Sequence, residues 1–431
     1  MEKDFRSVKK TIYPTRSIRT RSQCHSRRSY FHQLPPELLY MVLDKLSLLE
    51  LSVFSLVSKE MNRSIMDYIS TKAWKSKIII QNHSAWFGKD FANRAKRQFR
   101  DLGLLFKRCS MLLPAKEKFR FIFSQLSKIQ CFVLGQCLFP GCSGFACYGV
   151  LLQTLTAQWD EPECQRVINF LLEQTNLLQK MEAVVTAKAE VRGDQELQLR
   201  CFCRKVLLDP WISQPQCQFW LMQLLKPWPM VSQARLLFIF YGPLTPEGTL
   251  GWEDVVDRGL TVQALCDLAR AFLLLFCKRD YKVWTTNSML AILEELIVIP
   301  QPWHMENVAR LLVLCGDSLC YTVLASKALN GRLTEVSRII VYIILVHERD
   351  RFNMAAVVKL VLQISRIFST PTERFFFIQK MEDMFSEITR EFYEMSVRGN
   401  QQDNREAFQK LCVLLDSSAR FHTTLFLQFT T

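Results

Sequence analysis

The residues with the clearest potential for metal chemistry are cysteines. Cys131, Cys137, Cys142 and Cys147 fall within 17 residues of one another. Structural zinc sites typically use cysteines separated by two to four residues, whereas the segments here hold five, four and four residues, with no histidine nearby. This spacing favours thiols in a loop or a helical core. We expect no cofactor, and these four cysteines are the candidates if a metal is bound.

Nucleophilic catalysis would need a Ser or Cys beside a His that a carboxylate orients. The six histidines show no such local pattern: His304 opens a predicted helix and His347 ends one. The sequence also lacks the G-x-S-x-G, P-loop, G-x-G-x-x-G and H-E-x-x-H motifs. It therefore predicts a protein that is not itself an enzyme.

The composition favours long helices. Only 14 Gly and 15 Pro occur in 431 residues, while apolar types make up 49%. Few turn-forming residues argue against a sandwich, barrel or propeller. Apolar residues recur at helical spacing from about residue 100 onwards, and Thr372 and Thr334 stand where N-caps are expected. We predict an all-α protein whose body, 101–431, is an irregular α-solenoid or helical bundle.

The net charge of +14 comes from two segments. Residues 1–32 hold nine basic and two acidic residues, and residues 89–120 hold ten and three, so each contributes +7. We expect 1–32 to be a basic disordered arm and 78–100 a connector. Phe99 and Phe106 in the second segment are two helical turns apart, which favours a helix with Phe inside over a nucleic-acid face.

No segment is long enough to cross a membrane. The longest apolar run, Ile339–Val346, has eight residues, whereas a spanning helix needs about 20. The first residues, MEKDFRSVKK, also lack the apolar core of a secretory signal. We expect a protein of the nucleus or cytoplasm with no membrane partner.

Residues 33–77 form a strongly patterned unit. Pro35-Pro36 and Glu37 suit a helix start, and Leu38, Val42 and Leu46 then share one helical face. A second helix follows Ser47, and a third is expected to end near Trp74. A helical trio of about 45 residues has a marginal core, yet apolar residues lie on more than one of its faces. This pattern predicts an apolar surface for a partner protein.

This unit resembles an F-box, the segment by which substrate receptors of Skp1–cullin ubiquitin ligases bind their adaptor. Met61 and Asn62 depart from the pattern, because many F-boxes carry an aromatic residue shortly after the position of Lys59. An ordinary helical hairpin is the alternative interpretation. The resemblance implies that the residues contacting Skp1 are Leu34, Pro35, Glu37, Leu38, Val42, Leu43, Leu46, Leu51, Leu56 and Val57.

The rest of the chain resembles one vertebrate branch of the F-box proteins, through segments such as Lys226–Val231 and Ala325–Ala328. The resemblance implies a non-catalytic adaptor that binds Skp1, and cullin-1 through Skp1, and recruits an unidentified target protein with its helical body. It also implies a link to germ cells and meiosis. The alternative is a helical scaffold that binds nucleic acid or chromosome-associated protein through the basic segments.

Overall fold

A computed structural model describes residue 31 and residues 34–76, 89–126, 144–189, 191–211, 216–276, 285–398 and 401–430. These residues are almost entirely helical; the described part contains no β-strand, and one isolated antiparallel bridge pairs Leu244 with Leu250. The all-α prediction is confirmed. The predicted arm, 1–32, lies outside the described residues except for Phe31.

Seven helices form the N-terminal part. They are α1 (Pro36–Leu43), α2 (Leu48–Phe54), α3 (Lys59–Ser70), α4 (Lys72–Lys75), α5 (Lys89–Cys109), α6 (Ala115–Leu126) and α7 (Gly144–Thr156). The predicted connector extends to residue 100, but α5 already begins at Lys89. Its exposed basic residues and its buried Phe99 and Phe106 belong to one amphipathic helix, as the two-turn spacing of Phe99 and Phe106 predicts.

The remaining helices form the body. They are α8 (Glu161–Gln174), α9 (Leu177–Thr186), α10 (Gly193–Phe202), α11 (Gln216–Leu225), α12 (Met230–Tyr241), α13 (Asp254–Asp257), α14 (Val262–Phe276), α15 (Thr286–Leu296), α16 (Met305–Leu314), α17 (Gly316–Leu329), α18 (Leu333–Arg349), α19 (Met354–Ser365), α20 (Pro371–Arg398) and α21 (Gln401–Thr430).

The body is a stack in which many of the helices contact the next but one along the chain. Contacts run from α10 to α12, α14, α16, α18 and α20, while α17, α19 and α21 form a second row. This arrangement is the α-solenoid alternative of the predicted fold. Because each layer buries apolar side chains against the next, the core is continuous from Leu39 to Phe421.

Two predicted N-caps are displaced. The backbone N–H of Glu373 donates to Thr370 Oγ1 at 3.2 Å, so Thr370, and not Thr372, caps α20. The N-cap of α18 is Arg332, which makes no side-chain capping bond, and Thr334 lies inside the helix. Both helices begin earlier than predicted because Pro371 and Leu333 fit their first turns, as Pro does generally at the first helical position.

A π-helical turn, Cys203–Leu208, continues α10 and packs against α7. Gly149 of α7 makes this contact possible, since a Cβ there would lie 2.2 Å from the Lys205 carbonyl oxygen and 2.7 Å from Pro210 Cγ. Only glycine fits so close an approach of two backbones.

Candidate functional site

The N-terminal helices enclose a small core of their own. Leu43, Ile65 and Ile69 are completely buried, and Trp74 in α4 is nearly so. Tyr68 Oη donates a hydrogen bond to Asp44 Oδ1 at 2.9 Å, which ties α3 to the end of α1. This bond and burial both raise the pKa of Tyr68, burial being the larger cause. The shared core and this hydrogen bond therefore hold α1, α3 and α4 together.

A capping box orients α2. The backbone N–H of Ser47 donates to Glu50 Oε2 at 2.7 Å, and the backbone N–H of Glu50 donates to Ser47 Oγ at 3.3 Å. The hydrogen bonds from Ser47 hold the pKa of the Glu50 carboxyl below its usual value. The cap fixes the turn between α1 and α2, and therefore which side chains of the two helices share a surface.

Large apolar side chains remain exposed on this unit. Their exposed fractions range from 40% for Val42 to 68% for Val57. We call the set the apolar face: Leu38, Met41, Val42, Leu49, Val53, Leu56 and Val57. Soluble proteins rarely leave so many neighbouring apolar groups in water unless a partner covers them.

Of the ten sequence-predicted contact residues, eight are at least partly exposed and two are buried. Leu38, Val42, Leu56 and Val57 lie in the apolar face. Pro35 and Glu37 are exposed beside it, and Leu34 and Leu46 are half-buried. Leu43 and Leu51, in contrast, are 0% and 2% exposed, so they support the face from within the core and cannot form its surface.

Met41, Leu49 and Val53 belong to the apolar face but are absent from the predicted set. Their spacing carried a signal: Met41 follows Leu38 by three residues, and Val53 follows Leu49 by four. Such pairs lie on the same side of a helix. The prediction followed the stripe of Leu38, Val42 and Leu46 and also included Leu43 and Leu51, which the structure places in the core.

Helix α5 is joined to this unit by two hydrogen bonds. Arg108 Nη1 donates to Ser52 Oγ at 2.6 Å, and Asn62 Nδ2 donates to the Arg108 carbonyl oxygen at 3.4 Å. Burial raises the pKa of the neighbouring Cys109 thiol to about 12, partly opposed by its hydrogen bond with Ser55. Met61 and Asn62, the two departures from the F-box pattern, are buried beside this contact. Asn62 therefore serves the attachment of α3 to α5.

The cysteines and histidines considered for metal and nucleophilic chemistry do not belong to the apolar face. Cys131, Cys137 and Cys142 lie outside the described residues, and Cys147 is buried in α7. No group of three or more His, Cys, Asp or Glu in the described ranges is arranged to hold a metal ion. His304 caps α16 and His347 lies in the last turn of α18, as the sequence predicted.

A recess of about 700 Å³ lies in the first layers of the body. Amide side chains line much of it, together with Lys180 and Arg192, and its apolar lining includes Leu177 and Phe202. No carboxylate is among its lining residues. The amides are Gln174, Asn176, Gln179, Gln195 and Gln198. Such a lining offers hydrogen bonds to a peptide backbone and attracts negative charge.

None of the helices that the structure describes is both long and apolar enough to span a bilayer.

Comparison with known proteins agrees with this geometry. A family model described as "F-box domain" matches residues 31–72, the segment that carries the apolar face. The class is therefore that of F-box proteins with a helical-repeat body. A second model, described as "FBXO47, ARM repeats", matches residues 173–431, which span most of the stacked helices.

Two curated relatives extend the match to nearly the whole chain. F-box only protein 47 of Mus musculus is 40% identical over 425 residues, 98% of this chain and 94% of the mouse protein. The Homo sapiens protein of that name is 38% identical over 424 residues, 97% of this chain and 93% of its own length. The chain belongs to the F-box only protein 47 family. No solved structure matches it.

Proposed function

We propose that this protein is a substrate adaptor of a Skp1–cullin-1 ubiquitin ligase. The observation that carries the proposal is the apolar face of α1, α2 and the turn after α2, within a segment that matches the F-box family. Skp1 covers this face, with Leu38, Val42 and Val57 in direct contact. Burying apolar surface contributes roughly 25 cal/mol per Å² to the free energy of association. Covering these exposed groups with Skp1 therefore stabilises the complex.

The proposed role of the protein is to position the target beside the ubiquitin-charged enzyme, and it does not itself catalyse ubiquitin transfer. Cullin-1 joins through Skp1 and brings the ubiquitin-charged enzyme, while the helical body holds the target. Placing two reactants side by side replaces a bimolecular encounter by an effectively unimolecular one. The hydrogen bond from Arg108 of α5 to Ser52 of α2 supports this role, because it joins the F-box to a helix that packs on α7.

We place target recognition on the helical region from residue 101 onwards. The amide-lined recess between α9 and α10 is the first candidate surface, since its polar groups match a peptide segment. Action on a target in germ cells during meiosis, in the nucleus or the cytoplasm, completes the proposal and rests on the family resemblance alone.

Nucleic-acid binding through the basic segments is the competing function. Three cations of the second segment already serve internal contacts: Lys107 donates to the Ala157 carbonyl oxygen, Arg108 to Ser52, and Lys118 lies 4.0 Å from the ring centroid of Trp159. These contacts leave fewer charges for phosphates and favour the adaptor function.

Retention of Skp1 and cullin-1 after co-expression tests the proposal. Wild type should retain both at high salt, because an apolar contact responds little to ionic strength. The double substitution Leu38→Glu with Val57→Glu should lose them. Met111→Glu with Leu112→Glu is the matched control, since both residues are 60% exposed but lie outside the apolar face.

The competing function gives a different result. A complex driven by phosphate contacts loses roughly a thousandfold in affinity between about 50 and about 200 mM salt when six or more phosphates are neutralised. Failure of the wild type to retain Skp1, together with salt-sensitive binding to DNA or RNA, would contradict the adaptor function.

A further inference from the structure

The amide-lined recess between α9 and α10 carries positive charge that the chain itself does not balance. Lys180 of α9 and Arg192, which precedes α10, both line it and are both exposed. Neither makes an ion pair with a carboxylate in the described part of the chain. Arg192 Nη1 donates instead to a neutral acceptor, Gln195 Oε1, at 3.4 Å. Two cations without a counter-ion therefore line one concave surface.

The carboxylates nearest in sequence do not neutralise this recess. Three of them are exposed but are not among the lining residues that the structure describes: Glu173, Glu182 and Asp194. Glu196 of α10 is 0% exposed, since its Oε1 lies 3.3 Å from Arg235 Nη2 and its Oε2 accepts from Trp252 Nε1 at 2.9 Å. The charge of Glu196 is thus balanced inside the core, and the recess keeps the charge of its two cations.

The apolar part of the recess is packed in advance. Leu177, Val184 and Leu199 are at most 4% exposed, and Phe202 is 9% exposed. The ring of Phe202 meets Phe145 of α7 edge to face, with 5.6 Å between the ring centroids. Sites of this kind combine an apolar lining with a few polar groups that fix the orientation of a ligand. The recess therefore offers a preformed place for an apolar side chain beside the two cations.

Amide side chains complete the lining. Gln195 and Gln198 lie about one helical turn apart on α10, and Gln179 lies in the first turn of α9. Each amide has two donors and an acceptor, whereas a peptide backbone presents alternating N–H and C=O groups. The amides can therefore bond to an extended chain whatever its side chains are.

Both helices begin at the recess. The N-caps of α9 and α10, Asn176 and Arg192, belong to its lining, and neither makes a side-chain capping bond. Backbone N–H groups in the first turn have no partner within their helix, and the positive end of a helix dipole attracts anions. These two helix starts add to the attraction that the side chains of Lys180 and Arg192 exert on negative charge.

We propose that the recess binds an extended segment of the target in which an Asp or Glu adjoins an apolar residue. This inference rests on the proposed adaptor function, because it names the kind of segment that the helical body holds. The carboxylate pairs with Lys180 and Arg192, the apolar side chain packs on Leu199 and Phe202, and the amides bond to the backbone. The volume of the recess, about 700 Å³, falls within the range of about 300–1,000 Å³ that is usual for ligand sites.

The polar groups fit a carboxylate better than a phosphate group. Proteins that recognise phosphate on a peptide typically use a cluster of Arg residues. Within the described lining of the recess there is one Arg and one Lys, together with five amides. A single guanidinium can form two parallel hydrogen bonds with one carboxylate. An unmodified acidic segment is therefore the better match.

Selection from a display library of short random peptides, with the purified full chain as bait, tests the proposal. Wild type should enrich peptides in which Asp or Glu adjoins a large apolar residue. Lys180→Glu with Arg192→Glu should lose this enrichment and bind the selected peptides at least about tenfold more weakly in fluorescence polarisation, because repulsion replaces attraction. Arg166→Glu with Lys188→Glu is the matched control, since it changes the net charge equally at two exposed residues outside the described lining.

Synthetic copies of a selected peptide identify the negative group. Replacing its Asp or Glu by Asn or Gln should weaken binding at least about tenfold, because the charged hydrogen bonds are lost. Replacing it by phosphoserine should not strengthen binding. Binding of the phosphoserine copy alone would overturn the proposal, as would a wild type that enriches no acidic residue or an equal loss in both double variants.

Retention of Skp1 separates this inference from the adaptor function. Lys180→Glu with Arg192→Glu should retain Skp1 and cullin-1 as wild type does, because neither residue belongs to the apolar face. A wild type that retains Skp1 but enriches no acidic peptide would contradict the inference about the recess and leave the adaptor function standing. A wild type that does not retain Skp1 would contradict the adaptor function. Circular dichroism confirms that every variant is folded.

Discussion

At the scale of single residues, apolar side chains of similar type have opposite roles in the F-box. Leu43 and Leu51 are buried and hold the helices together, whereas Leu38 and Val57 are exposed and stabilise nothing in the isolated chain. Exposure thus separates residues for folding from residues for binding, although all four fit the same family pattern.

This difference predicts two distinct mutant phenotypes. Leu43→Ala should reduce the free energy of unfolding by about 2–5 kcal/mol, because it opens a cavity in a packed core. Leu38→Ala should leave that free energy within about 0.5 kcal/mol of wild type and weaken Skp1 retention. Urea unfolding and co-purification measure the two effects. Equal destabilisation by both substitutions would contradict the assignment.

A second residue-scale prediction concerns acid. Burial lowers the pKa of His347 below its usual 6.5, partly opposed by the contact of Nδ1 with the Ile343 carbonyl oxygen at 2.9 Å. Burial also lowers the pKa of His304. The unfolded chain then binds protons more readily than the folded one, so the stability is present above pH 6.5 and is lost as the pH falls towards the folded-state values.

Urea unfolding midpoints at about pH 7.5 and about pH 5.5 measure this loss. His347→Gln should show a smaller difference between the two midpoints than wild type. An unchanged difference in this variant would assign the acid sensitivity to other groups.

At the scale of elements, close approaches between helices depend on the smallest residues. Helix α7 meets the π-helical turn at Gly149, where backbone lies directly against backbone. Gly193, the first residue of α10, has no atom within 4 Å of an added Cβ. A methyl group at Gly149 would therefore clash with the turn, whereas one at Gly193 would point into open space.

The pair makes a controlled test of this packing. Gly149→Ala should cost about 1–3 kcal/mol of unfolding free energy, because the two elements must separate. Gly193→Ala should be neutral or stabilise by up to about 1 kcal/mol by restricting the unfolded chain. Thermal unfolding by circular dichroism compares them. A neutral Gly149→Ala variant would show that α7 does not pack closely on the turn.

At the scale of the whole molecule, buried ion pairs connect successive layers of the solenoid. Arg235 of α12 pairs with Glu196 of α10 at 3.3 Å, and Arg310 of α16 pairs with Asp350 at the end of α18 at 2.8 Å. Arg310 also lies 3.0 Å from Glu306. These polar groups favour one alignment of the layers, because any slip would leave a buried charge without its partner.

Removing one partner should therefore be costly. Arg310 is 2% exposed, and Arg310→Met should lower the free energy of unfolding by about 3–5 kcal/mol. Arg258→Met is the control: its pair with Asp254 is surface-accessible, with Arg258 59% exposed, and its loss should cost less than about 1 kcal/mol. Chemical unfolding measures both, and similar values would mean that the Arg310 network adds little to layer alignment.

The amino-acid sequence by itself determined the helical class and the order of the elements, whereas the F-box assignment came from its resemblance to known F-boxes. The class and the order depend on local physics, because the spacing of apolar residues and the scarcity of Gly and Pro act within a few residues. The predicted helix through Phe99 and Phe106, and the helix-end positions of His304 and His347, were correct for the same reason.

Only the tertiary structure decided which apolar residues face water and which face the core. Whether Leu43 or Met41 forms the surface depends on packing with α3. Asn62 in turn is buried where it bonds to the Arg108 carbonyl oxygen of α5, 46 residues away. Likewise, the solenoid order follows from contacts between alternate helices. Periodicity marks the apolar side of a helix, but the elements that cover it are brought together only by folding, so its burial is settled by long-range contacts.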